Sequence, residues 1–283
     1  MLKKIFLLCI CINVSAFAAN TDKTSVTIGL SEYPPYINYD HSGLLPELIT
    51  SALQNSKFKI DYKIFPIKRA AKLVINNDID AYAPGHIFTL KENNSLVRQV
   101  DILNVITSWA YYRPNNKEGL FDLLDGNDFS KFQNFKVGVI ENSPYMELYK
   151  SAKLNVFELA TPAQLLRMSR MNRIDVFETT LLNAYVGIQK YYPAELSMFN
   201  IIKRKPLTIS LLINKNNKQL LSEFSKGLQL IMKNGEYMMI MERYWGVNNV
   251  PARVLPENMK GKGVESFSLF KFPSREKFRI DIQ

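Results

Sequence analysis

The chain has 283 residues, with 36 basic against 26 acidic side chains and a formal net charge of +10. At 47% hydrophobic residues and with only 12 glycines it is too apolar for disorder and too varied for a low-complexity or fibrous protein. Its basic residues are scattered, apart from the C-terminal stretch, and do not run together with aromatics, so they predict solvated faces rather than a nucleic-acid surface.

The N-terminus carries Lys3 and Lys4, an apolar run from Ile5 to Val14, and the small-x-small pattern Ala16-Phe17-Ala18. That order predicts a cleavable signal peptide over residues 1–18, because the apolar run has the length of a signal core and is too short for a membrane span. No later apolar run reaches the length of a spanning helix. Cys9 and Cys11 both fall in this segment, so the mature chain is expected to have no disulfide and no cysteine-bound metal. Leu8 and Ile10 stand where a lipoprotein would have a small residue before its cysteine. The expected location is the periplasm, with no cofactor and no metal.

Beyond the signal, short β-rich runs alternate with helical runs. Strands are predicted at Val26–Leu30, Phe58–Phe65 and Ile79–Ala83, with helices at Leu44–Leu53 and Ile67–Ile75 between them. A polar loop over Gly119–Gln133 follows, and then the order repeats. Strands are predicted at Lys136–Ile140, Asn155–Leu159 and Ile174–Phe177, and helices at Tyr145–Ala152, Pro162–Met171 and Leu181–Tyr191. Thr161 is placed to cap the Pro162 helix, with proline at its first turn. A strand at Leu207–Ile213 and helices at Gln219–Lys233 and Glu236–Trp245, broken at Asn234-Gly235, close the body. Residues 251–283 are basic with no clear period, and the aromatics Phe267, Phe270 and Phe272 predict partial packing. Two β-α-β-α-β units imply an α/β fold, each unit a mostly parallel sheet flanked by helices.

The residues in this order resemble a known family. Val26-Thr27-Ile28-Gly29-Leu30, then Tyr33-Pro34-Pro35-Tyr36, then Gly43 leading to Glu47-Leu48 are similar to the opening of the bacterial extracellular solute-binding proteins of family 3. Phe65-Pro66-Ile67-Lys68-Arg69-Ala70, Asn77-Asp78-Ile79-Asp80-Ala81, Lys136-Val137-Gly138-Val139, Arg173-Ile174-Asp175 and the ending Asn234-Gly235-Glu236-Tyr237 to Tyr244-Trp245-Gly246 continue the likeness. The resemblance implies a two-lobed type II periplasmic-binding fold. It places the first lobe over residues 19–108 and 210–250 and the second over 114–204, with a two-strand hinge at 109–113 and 205–209 and an extension at 251–283. It also implies a monomer that closes on a small polar solute, an amino acid or a similar metabolite, and hands it to an ABC-type permease or a membrane receptor.

In an open parallel sheet, ligands lie beyond the carboxyl ends of the strands. That rule selects Tyr33 and Tyr36 after the first strand, and Tyr82, Gly85 and His86 after the third. In the second unit it selects Asn142 and Ser143 at a helix start, and Glu178 and Thr180 after Phe177. The tyrosines offer flat walls with hydroxyl handles, the helix start offers amides to a carboxylate, and Glu178 offers a partner to an ammonium. Arg69 is expected to reach the cleft. The chain departs from the family pattern at two anchors: Glu92, in Thr89-Leu90-Lys91-Glu92, stands where amino-acid-binding members have a carboxylate-forking arginine, and Thr180 where they have an ammonium-binding aspartate. No Ser/His/Asp order, His-x-x-x-His or phosphate loop is present, so no catalytic residue is assigned. The alternatives are a sensory protein docking on a receptor, and a cyclohexadienyl-dehydratase-like enzyme of the same fold that uses Glu178 or His86 as its acid.

Overall fold

The computed structural model describes residues 24–85, 94–115, 128–141, 143, 145–256 and 259. The expected signal segment, His86, Asn142, the Thr89–Glu92 stretch and nearly all of the C-terminal extension lie outside the described residues.

The first unit runs β1 (Thr24–Leu30), α1 (Leu44–Leu53), β2 (Phe58–Ile64), α2 (Ile67–Asn76) and β3 (Ala81–Gly85), and then a long strand, β4 (Val97–Tyr112). The second runs β5 (Lys136–Ile140), α3 (Met146–Ser151), β6 (Asn155–Leu159), α4 (Pro162–Arg170), β7 (Val176–Thr180) and α5 (Leu181–Tyr191). A second long strand, β8 (Phe199–Asn214), leads to α6 (Lys218–Lys233) and α7 (Glu236–Trp245). Among the described residues the strands form one eight-stranded sheet in the order β2-β1-β3-β8-β4-β7-β5-β6.

That order makes the sheet mixed. β2, β1 and β3 are parallel at one end, and β7, β5 and β6 are parallel at the other. Between them β4 and β8 pair antiparallel over nearly their whole length. β3 attaches to the Ser210–Ile213 end of β8, whereas β7 attaches to the Thr107–Ala110 end of β4. The two half-sheets are therefore offset along one shared ribbon. The ribbon's register shifts between Ile106 and Ser108, opposite Pro206 and Lys203. A proline without an N–H and an extra residue in one strand both suit a bulge, which bends the ribbon there.

Apart from Leu181 and Leu182 of α5, which join the first half's core, each half has its own cores. In the first, Ile28, Leu48, Leu211, Phe224 and Trp245 pack between the sheet, α1, α6 and α7, and a smaller group around Ala70, Val74 and Tyr82 packs under α2. In the second, Trp109, Phe132 and Tyr149 pack on the α3 side, while Leu165, Phe177 and Ile188 pack under α4 and α5.

Local signals explain the elements. Thr161 accepts from the Gln164 N–H at 3.2 Å, and the Gln164 side chain accepts from the Thr161 N–H at 3.1 Å, a reciprocal cap that starts α4. Gly235, at φ 88°, adopts the left-handed conformation that separates α6 from α7. Two predicted strands begin later than expected: β3 starts at Ala81 rather than Ile79, and β7 at Val176 rather than Ile174. The reason is the same in both halves. Asp80 donates its N–H to the Thr27 carbonyl and accepts the Thr27 N–H on its carboxylate at 2.8 Å. Asp175 makes the same pair of bonds with Lys136, at 2.8 and 2.7 Å. Each aspartate clasps a neighbouring strand, at Thr27 of β1 or Lys136 of β5, before its own strand begins.

Candidate functional site

A cavity of about 150 Å³ lies where the two half-sheets face each other. The first half contributes Ser31, Glu32, Tyr33, Ile67, Tyr82 and Pro84; the second contributes Glu141, Ser143, Tyr145, Glu178, Thr179, Thr180 and Asn183. The ribbon contributes Val105 and Thr107 from β4, and Leu207 and Ile209 from β8. On β3 and the ribbon the wall residues follow period two, Tyr82 with Pro84, Val105 with Thr107 and Leu207 with Ile209, whereas the end of β7 brings Glu178, Thr179 and Thr180 together. β1, β3, β5 and β7 all present their carboxyl ends here, as the rule for parallel sheets requires.

Tyr33 sits on the tight turn after β1, where its N–H donates to the Ile37 carbonyl at 2.8 Å and the Tyr36 N–H donates back to its own carbonyl at 2.9 Å. The Tyr33 ring stacks on that of Tyr36, with centroids 5.2 Å apart and planes at 16°. Tyr33 is half-buried overall, yet its hydroxyl end is enclosed, and that burial raises its pKa well above the phenol range. The neighbouring Tyr36 raises it further, as does the charge of Glu178, whereas the Thr180 hydroxyl lowers it. Thr180 belongs to the second half, so the two halves meet across the cavity at this point. Its hydroxyl also caps α5, accepting from the Asn183 N–H at 3.3 Å.

Glu178 faces the cavity from β7, in register with Trp109 of β4. The Ser143 hydroxyl donates to Glu178 Oε2 at 2.7 Å and accepts from the Tyr145 N–H at 3.2 Å, tying the start of α3 to β7. Deep in the first half, the Ser31 hydroxyl meets Tyr82 Oη at 3.3 Å and donates to the Phe65 carbonyl at 2.8 Å. Burial pushes the Tyr82 phenol up to about 12, the Ser31 bond working in the opposite direction.

Five of the ten residues selected from the sequence line the cavity: Tyr33, Tyr82, Ser143, Glu178 and Thr180. Tyr36 does not; it is 1% exposed and backs Tyr33 from behind. Gly85 does not either, because Tyr82 and Pro84 take the cavity face of β3 and Gly85 abuts Leu212 and Ser210 of β8. Arg69 is exposed, its guanidinium 5.7 Å from the Phe65 ring centroid, where its charge stays hydrated and its stem covers apolar surface. His86 and Asn142 lie outside the described residues.

At the start of α3 the Ser143, Tyr145 and Met146 amides donate to the Ile140 carbonyl, the Ser143 hydroxyl and the Ser143 carbonyl, while the Asn142 amide lies outside the described residues. Sequence reasoning missed Ser31 and Glu141, which directly follow β1 and β5 and which the same strand-end rule could have found. It missed Thr107 because β4 had not been read as a strand passing the cavity.

The profile of the bacterial extracellular solute-binding proteins, family 3, matches residues 26–247. No curated protein sequence matches the chain. Solved structures that share its fold include the following three. An ancestral arginine-binding protein bound to arginine is 17% identical, with a TM-score of 0.63 over 78% of this chain and 98% of its own. A histidine kinase sensor domain with similarity to periplasmic binding proteins is 14% identical, with a TM-score of 0.65 over 83% and 99%. An arginine transport system periplasmic binding protein from Legionella pneumophila is 15% identical, with a TM-score of 0.61 over 78% and 99%.

Proposed function

The chain belongs to the bacterial extracellular solute-binding proteins, family 3, and from that premise we propose that it is a periplasmic receptor that closes on a small polar metabolite and delivers it to an ABC-type permease. The observation that carries this reading is the cavity itself. Its walls come from both half-sheets, Tyr33 on one side and Thr180 with Glu178 on the other, and among the described residues the ribbon of β4 and β8 joins them. A solute that contacts both walls stabilises the closed arrangement by its differential affinity for it. We place the hinge at residues 109–113 and 205–209, beside the ribbon's register shift between Ile106 and Ser108, with the lobes divided as the family resemblance implies. Residues 1–18 act as the export signal.

Thermal-shift screening of residues 19–283 against a broad metabolite panel tests this. A solute that binds only the folded form raises the melting temperature by mass action, by an amount that grows with its concentration. At least one small polar solute is expected to do so. A flat response across amino acids, amines, organic acids and sugars contradicts the reading.

A second reading, ligand sensing, draws support from the likeness to a histidine kinase sensor domain. Pull-down with the membrane proteins encoded beside this gene separates the two: a permease as the partner of the loaded protein supports uptake, and a kinase supports sensing. Turnover of a cyclohexadienyl acid would replace both with catalysis.

A further inference from the structure

Resting on the reading of the cavity as a solute site, we infer that its solute is amphipathic: a compact hydrocarbon group seats on the ribbon, and a polar head turns to the wall of the second half. The ribbon side of the cavity is apolar. Val105 and Leu207 are cross-strand partners, and Ile209 follows Leu207 on the same face of β8. The amides and carbonyls of a strand lie in the plane of the sheet, where β4 and β8 pair with each other. The face turned to the cavity therefore presents side chains. Thr107 brings a hydroxyl to it at the end where β4 pairs with Thr180 of β7. Ile67 and Pro84 from the first half, and Ile140 and Leu165 from the second, extend the apolar lining.

The polar groups collect elsewhere. Glu178, Thr179, Thr180 and Asn183 come from the end of β7 and the start of α5. The Ser143 hydroxyl joins them by donating to Glu178 at 2.7 Å. On the first half, the Ser31 hydroxyl lies 3.3 Å from Tyr82 Oη and donates to the Phe65 carbonyl at 2.8 Å.

This segregation orients a solute. A polar atom turned to Val105, Leu207 and Ile209 gives up its water and finds no hydrogen-bond partner in those three side chains, whereas a hydrocarbon group leaves water there at a gain. The volume is about 150 Å³, and an aliphatic cavity of about that size stays dry and takes a guest as large as benzene. A short branched chain fits within it. The ribbon is indifferent to the charge of the head, so the test spans zwitterion, amine and acid.

Calorimetric titration of residues 19–283 uses three pairs in which one methyl becomes a hydroxyl: valine against threonine, isobutylamine against 1-amino-2-propanol, and isovalerate against 3-hydroxybutyrate. In each pair that binds, the methyl member is expected to bind about tenfold or more tightly than its mate. Val105→Thr keeps the volume and adds a hydroxyl to the ribbon face. With unchanged circular dichroism it is expected to shrink that ratio by about fivefold or more. A packing effect alone would weaken both members alike and leave the ratio unmoved. Where the tightest solute of the broad panel lies outside these pairs, Val105→Thr is expected to weaken it by about fivefold or more. Leu207→Asn, at the more accessible cross-strand partner, is read in the same way where Val105→Thr does not fold. Equal or tighter binding of the hydroxyl members overturns the amphipathic assignment and leaves the solute site standing. So does an unchanged ratio or affinity in the folded variant, or binding of sugars alone. Failure of every solute in the broad panel overturns the site itself.

Discussion

Asp80 and Asp175 occupy matching places in the two halves, and each clasps the strand beside its own through one donated and one accepted backbone bond. Asp175 is 5% exposed, so removing its carboxylate leaves the Lys136 N–H without its acceptor. Asp175→Ala should cost about 1–3 kcal/mol of stability, measured by urea unfolding, while binding by the surviving folded protein stays unchanged. Both aspartates were legible as parts of family motifs, but their task was not, because a sequence shows an Ile-Asp pair and not the amide it faces. The cavity residues divide in the same way. Tyr33, Tyr82, Ser143, Glu178 and Thr180 follow from one rule about strand ends. The rule fails for Gly85 because neighbouring strand residues point to opposite faces, and for Tyr36 because a tight turn folds its ring behind Tyr33.

The elements with terminal signals were the easiest to read. Thr161, Pro162 and Gln164 start α4 where the sequence places it, and Asn234-Gly235 divides the last two helices. β4 was harder. From Ile102 to Tyr111 it is buried on both faces, so it carries no alternation to mark it as a strand. The first half of β8 was only partly legible: residues 205–209 are expected as an extended hinge strand, and only the long pairing with β4 shows a strand that begins at Phe199. One close approach between elements was invisible in sequence. At Gly227 of α6 a Cβ would fall 1.7 Å from the Ala52 carbonyl oxygen of α1. Gly227→Ala, although it favours helix, must push the two helices apart. It should destabilise the protein by about 1–3 kcal/mol or more, seen as a lower melting temperature. A neutral or stabilising result would show that α1 and α6 are not packed this closely.

For the molecule as a whole, the buried phenols set an alkaline limit. Tyr36, Tyr82 and Tyr237 are each 1% exposed or less, and burial raises all three pKa values, that of Tyr82 to about 12. Tyr237 donates its hydroxyl proton to the Ile102 carbonyl at 2.9 Å, a bond the phenolate cannot make. The unfolded chain releases these protons near the ordinary phenol pKa of about 10, while the folded chain keeps them. Stability from this source is therefore complete below about pH 10 and is lost as the pH rises toward the folded values. Urea midpoints followed from pH 8 to 11.5 should hold level and then fall, with phenolate absorbance rising together with unfolding. The larger claim is that two half-sheets on one bent ribbon close around a solute. The most direct measurement is a crystal structure of residues 19–283 grown with a solute that raises the melting temperature. The account predicts solute density between Tyr33 and Glu178, in contact with both half-sheets. Density elsewhere on the molecule, or contact with one half alone, would contradict it.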